Sequence, residues 1–124
     1  MEPIKIAIID DSDFVRDGLK IILELDPDFE VVGVGGNGEE ALKLVRNHRT
    51  DVILMDLEMP VMDGIEAVKE IIDIDPTAKV IMVTAAGQKT NMVEALKRGA
   101  ADFIQKPFDS SVILNTIEKV LEDE

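Results

Sequence analysis

Apolar runs alternate along this chain with stretches of helical periodicity, and that alternation leaves few folds open. The runs are Ile4–Ile9, Phe29–Val34, Val52–Met55, Val80–Val83 and Phe103–Ile104. Runs this apolar read as strands covered on both faces, because a half-solvated strand would alternate polar and apolar residues. Between them apolar residues recur at helical spacing: Val15, Leu19 and Ile22; Ala41, Leu42 and Val45; Ile65, Val68 and Ile72; Met92, Val93 and Leu96; and Ile113, Ile117, Val120 and Leu121. Helix boundaries are also marked. Ser12, Asn37, Asp63 and Asp109 stand at N-cap positions, with Glu40 and Glu66 three residues after Asn37 and Asp63. Gly99 follows Lys97-Arg98 as a helix-terminating glycine, and Asp26-Pro27 and Asp75-Pro76 close the first and third helices.

The pattern is strand then helix, five times. Right-handed crossovers then give a parallel sheet with helices on both faces, and the expected fold is α/β, a doubly wound (βα)5 flavodoxin-like fold whose five-stranded sheet takes the common order 2-1-3-4-5. The chain's 124 residues suit one domain over 1–124. In such a sheet, ligands bind beyond the carboxyl ends of the strands, where the winding reverses between the first and third strands. Asp10-Asp11 follows the first apolar run, Asp56 the third, Thr84 the fourth and Lys106 the fifth. An acid pair, an acid, a hydroxyl and an ammonium are thus expected around one pocket.

Three carboxylates in close quarters raise one another's pKa, and a hard cation removes the conflict. Mg²⁺, which prefers oxygen ligands, is the expected ion, with Mn²⁺ as the substitute. Asp11 and Asp56 are expected to bind it directly, Asp10 through a water, and the Glu58 backbone carbonyl to complete the protein ligands. Asp56 has a second chemistry, since an aspartate carboxylate can attack phosphorus and form an acyl phosphate. Lys106 would neutralise phosphoryl charge, in a turn set by Pro107, and Thr84 would offer its hydroxyl. A lone Asp-Asp pair is more often a helix cap, a lone Thr a strand end and a lone Lys a solvated side chain. Their convergence at one pocket decides for the functional reading.

Net charge narrows the partners. There are 26 acidic against 13 basic residues, a formal charge of −13. Such a surface repels nucleic acid and anionic lipid, so no direct nucleic-acid contact is expected. With four Phe as the only aromatics there is no base-stacking platform. The absence of cysteine excludes disulfides and thiolate metal sites. No apolar stretch is long enough to span a bilayer and no signal-peptide pattern opens the sequence, so a cytoplasmic location without membrane insertion is expected. His48, the single histidine, reads as a solvated helix end. Gly33, Gly35, Gly36 and Gly38 read as a flexible loop, and Met55, Met59, Met62, Met82 and Met92 as filler.

Taken together, Ile9-Asp10-Asp11-Ser12, Met55-Asp56-Leu57-Glu58-Met59-Pro60 with Asp63-Gly64, Val83-Thr84-Ala85 and Lys106-Pro107-Phe108 resemble the CheY-like receiver domains of two-component response regulators. The resemblance runs from Ile4 to Leu121. It implies Asp56 as phosphoacceptor, Asp10, Asp11 and the Glu58 carbonyl as metal ligands, and Thr84 and Lys106 as phosphoryl-binding and switch residues. Ala85 is small, which suits a site open to a partner's phosphohistidine. Phe103 matches the aromatic switch position, where the alternative is a buried strand aromatic.

The implied function is a phosphorylation-dependent switch. A sensor histidine kinase would be the donor, and the face of helix 4, strand 5 and helix 5 would contact a downstream protein. A phosphatase is a further expected partner. No turnover of an external substrate is expected. The reading favours a stand-alone, chemotaxis-like protein. The alternatives are a receiver cut from a longer DNA-binding regulator, a small Asp-based Mg²⁺ phosphatase, with Glu58 near its acid position, and a docking module that takes no phosphate.

Overall fold

The computed structural model describes residues 2–85 and 87–122. Strands and helices alternate as β1 (Ile4–Ile9), α1 (Asp13–Glu24), β2 (Phe29–Gly35), α2 (Gly38–Asn47), β3 (Val52–Asp56), α3 (Gly64–Ile74), β4 (Lys79–Thr84), α4 (Lys89–Lys97), β5 (Asp102–Gln105) and α5 (Ser110–Glu122). All strand pairs are parallel, and the order is β2-β1-β3-β4-β5, as expected.

The central strands β1, β3 and β4 are largely apolar because each feeds two cores, whereas the edge strands β2 and β5 give Phe29 and Ile104 to one of them. Ile53 and Met55 pack with Ala41, Val68, Ile71 and Ala95 on one face of the sheet. Val52 and Leu54 pack with Leu19, Leu23, Ile113 and Ile117 on the other. Successive strand residues point to opposite faces, so an unbroken run fills both layers. Each such side chain taken fully out of water contributes about 1.5–3 kcal/mol. Among the described residues, no helix is long and apolar enough to cross a membrane.

Capping follows the sequence signals. Ser12 Oγ accepts from Val15 N at 3.3 Å, Asn37 Oδ1 from Glu40 N at 3.0 Å, Asp63 Oδ1 from Glu66 N at 3.0 Å and Asp109 Oδ1 from Val112 N at 3.0 Å. Each bond satisfies an amide that the helix itself leaves open. Gly99, at φ 120°, ends α4 in the left-handed region that glycine tolerates best. α4 begins differently, with no side-chain cap from Gln88.

Two expectations are corrected. Gly33 and Gly35 do not lie in a flexible loop: both belong to β2, and Gly38 opens α2. The physical reason is close packing. A Cβ on Gly38 would lie 2.7 Å from Met62 O, and the Gly38 amide donates to that same oxygen at 3.0 Å. The apolar face of α4 is also rotated from the expected one. Met92 and Ala95 are buried, while Val93 and Leu96 are exposed. A residue as small as Ala95 lets the helix backbone approach the sheet, and the larger side chains are left outside.

Candidate metal and phosphoryl site

The strand register assembles the site. Ile9 of β1 pairs with Met55 of β3, so Asp10 emerges beside Asp56. Asp56 pairs with Val83 of β4, which puts Thr84 one residue further out, and Thr84 pairs with Gln105 of β5, just before Lys106. The backbone completes the link, with Lys106 N donating to Thr84 O at 2.7 Å. The Lys106–Pro107 peptide bond is cis.

Asp10 is held on several sides. Its amide donates to Gly35 O at 3.0 Å, and its carboxylate accepts from Ser12 N at 2.9 Å and from Lys106 Nζ at 3.2 Å. Lys106 Nζ also stands 3.8 Å from Asp56 Oδ1. Asp11 contrasts with these two: it is exposed, and among the described residues its carboxylate has no hydrogen-bond or ion-pair partner. Asp10, Asp11 and Asp56 each offer one oxygen, and these oxygens lie within 4.8 Å of one another. Three carboxylates face a single ammonium. This all-oxygen set fits a hard divalent cation, which would offset the remaining negative charge.

Burial of the Asp56 carboxyl, reinforced by the adjacent Asp10 carboxylate, pushes its pKa from 3.8 up to about 6. Lys106 and the Glu58 backbone amide pull it the other way without cancelling the rise. Buried and crowded by like charge, Asp56 gains more than an exposed aspartate would from a cation placed beside it.

The other expected residues surround this cluster. Thr84 is fully buried, and its hydroxyl makes a long 3.4 Å bond to Ala85 O. Ala85 and the Glu58 side chain are exposed. Phe103 is 38% exposed, which removes the reading of it as a buried strand aromatic. Ile104 points to the core in its place.

A model of the response regulator receiver domain matches residues 6–118. The chain belongs to the response regulator receiver family. It is 46% identical over 116 residues to chemotaxis protein CheY of Listeria monocytogenes, covering 94% of this chain and 97% of that protein. It is 43% identical to chemotaxis protein CheY of Thermotoga maritima, covering 94% and 96%. Among solved structures it is similar to the CheX-CheY-BeF3-Mg²⁺ complex of Borrelia burgdorferi, with 34% identity, 97% and 90% coverage and a TM-score of 0.90. This receiver is accordingly a phosphorylation-dependent signalling switch, and its acidic pocket is the kind at which receivers bind Mg²⁺.

Three features of this receiver escaped the sequence reading. Arg16, in the first turns of α1, donates from Nη1 to the Asp10 carbonyl oxygen and pairs through Nη2 with Asp13. Val61 has φ 68° at the centre of a three-residue turn in which Met62 N donates to Pro60 O at 2.7 Å. A β-branched residue there is strained, and nothing in the local sequence announces it. α1 and its C-cap also carry a second apolar stripe, Phe14, Ile21 and Leu25, all exposed. Phe14 and Gly18 line a groove of about 340 Å³ with Pro107 and Phe108. The 14–18–21–25 spacing was the available signal, masked by the expected core face Val15, Leu19 and Ile22; the core face is in fact Val15, Leu19 and Leu23, and Ile22 lines the groove.

Proposed function

We propose that Asp56 accepts the phosphoryl group and that Asp10, Asp11 and the Glu58 carbonyl, with Asp56, hold the Mg²⁺. The observation that carries this is the meeting of three carboxylates and Lys106 at the switch point of the sheet. A bound divalent cation supplies charge neutralisation for the phosphoryl oxygens. An Asp56 oxygen attacks phosphorus, the phosphorus–nitrogen bond of a phosphohistidine breaks, and its electron pair stays with the imidazole. Lys106, already between Asp10 and Asp56, then faces the new phosphoryl charge.

The burial and loose bonding of Thr84 suit a hydroxyl that can turn towards that charge. Such a turn would draw Ala85 with it, and Gly87, at φ 89°, takes a backbone conformation open to glycine. The effect would reach α4, β5 and α5, where Val93, Leu96, Phe103 and Val112 are exposed for a protein target. Phe103 is the aromatic that would respond, with Ala85 leaving the pocket open to the donor.

The donor is a sensor histidine kinase, the location cytoplasmic, and the output chemotaxis-like; the names of the relatives support this last point. A phosphatase is a further partner in this reading, and the Borrelia complex, in which a CheY is bound to CheX, supports a protein partner beyond the kinase. Phosphoramidate with Mg²⁺ tests the reading. Intact-mass measurement is expected to find one added phosphoryl group on the wild type, none in EDTA and none on Asp56→Asn. Labelling of Asp56→Asn, or steady hydrolysis of small phosphomonoesters, overturns it.

A further inference from the structure

The Asp10 carboxylate is held by Ser12 N and Lys106 and the Asp56 carboxylate stands 3.8 Å from Lys106, whereas the Asp11 carboxylate makes no hydrogen bond or ion pair among the described residues. With no such partner of its own, the carboxylate relies for its position on the backbone that carries its Cβ, of which the Asp10–Asp11 peptide plane is one part. One edge of that plane is the Asp10 carbonyl, which Arg16 holds. We infer that Arg16 is a positioning residue of the metal site, acting through the Asp10 carbonyl to aim the Asp11 carboxylate.

Several observations support a built contact rather than a stray surface charge. The Arg16 side chain is only 20% exposed. Its guanidinium bridges the Asp10 carbonyl and the Asp13 carboxylate, one nitrogen to each. It also lies against the β2–α2 turn, since a Cβ on Gly36 would come 3.4 Å from Nη1. That turn is pinned in turn by Glu40 Oε1, which accepts from Gly36 N at 2.6 Å. A planar fork can serve two acceptors at once in this way; a lysine ammonium on its flexible stem cannot reproduce it.

Charge makes the inference testable, because two roles predict opposite signs. If Arg16 were only a cation near an acidic cluster, its removal would tighten Mg²⁺ binding, since one repulsive charge would be gone. If it positions Asp11, its removal weakens binding, and residues that orient ligands commonly change metal affinity by about tenfold or more.

The inference rests on the reading that Asp10, Asp11 and Asp56 hold Mg²⁺. Calorimetric Mg²⁺ titration of the wild type, Arg16→Ala and Arg16→Lys, with thermal melts in EDTA, separates the two. The expected result is a dissociation constant raised about tenfold in both variants, with a shifted Asp11 amide resonance in the metal-free protein. Should Arg16→Ala fail to fold, Arg16→Lys, which keeps the charge and the stem, carries the test. Tighter binding by Arg16→Ala, or wild-type affinity in Arg16→Lys, overturns the role of Arg16. No Mg²⁺ binding by the wild type overturns the metal reading instead, and the inference with it.

Discussion

The two sides of the site are held very differently. On the β1–β3 side, Asp10 is pinned through its amide, carbonyl and carboxylate, and Asp56 is the last residue of a fully buried strand. The helices that follow, α1 and α3, are capped by Ser12 and Asp63. On the β4 side, the Thr84 hydroxyl has one long bond, Ala85 and Gly87 are exposed, and α4 starts without a side-chain cap and buries only Met92 and Ala95. One side is a rigid cradle for charge, and the other is weakly tied to the rest of the molecule. A switch needs both. The cradle keeps the acids in place as the phosphoryl group arrives, and the loosely held side is the part that a modest electrostatic pull can move.

The contrast can be broken most forcefully in the cradle. Leu54→Ala, in the fully buried middle of β3, is expected to cost about 2–5 kcal/mol in urea unfolding, through lost burial and the cavity left behind. Leu96→Ala, on the exposed face of α4, is expected to stay within about 0.5 kcal/mol. Equal losses from the two would erase the distinction.

Asp56→Asn sharpens the comparison in the other direction. Because the folded-state pKa is raised, the folded protein binds this proton more tightly than the unfolded chain does. The ionisation penalty is absent below pH 3.8, grows as pH rises and is complete above about 6. A shift of roughly two units corresponds to about 3 kcal/mol, one unit being about 1.4. Solvent reaching the carboxyl reduces this, so Asp56→Asn is expected to be about 1–2 kcal/mol more stable than the wild type at pH 7 in EDTA, with the gain vanishing near pH 4. Denaturant melts at the two pH values check this; a pH-independent gain would assign the effect to something other than the carboxylate.

Caps give smaller effects. Asp63→Ala removes a bonded cap from α3 and is expected to cost about 1 kcal/mol, whereas Gln88→Ala, removing no cap bond, is expected to change stability by less than about 0.5 kcal/mol. Smallest of all, Gln88→Asp would supply the missing cap, stabilise α4 by about 0.5 kcal/mol and slow hydrogen exchange in its first turn. Unchanged exchange there would mean that the start of α4 is already anchored by other contacts.

How much of this could be read from the sequence depends on the kind of interaction. The central strands were legible because burial on both faces leaves them almost wholly apolar, whereas the edge strands β2 and β5 keep exposed residues such as Glu30 and Gln105. Ser12, Asn37, Asp63 and Asp109 were legible as caps because capping is a bond over three residues. The site was legible because acids, a hydroxyl and a lysine follow successive strands, and a parallel sheet brings strand ends to one edge. By contrast, Gly38 looked like a loop residue because its reason, the Met62 carbonyl against it, lies 24 residues on and in another loop. The exposed face of α4 was misjudged because Ala95 carries no strong hydrophobic signal of its own.

The sequence by itself determined the strand–helix alternation, the winding and the set of chemical groups at the sheet edge, since these depend on local periodicity and chain order. Only the tertiary structure decided that Arg16 grips the Asp10 carbonyl, that Val61 sits at positive φ, that Phe103 faces outward and that Asp56 is buried enough to raise its pKa. These depend on the direction of a side chain and on the neighbours that exclude water from it, and both are fixed only when distant parts of the chain pack together.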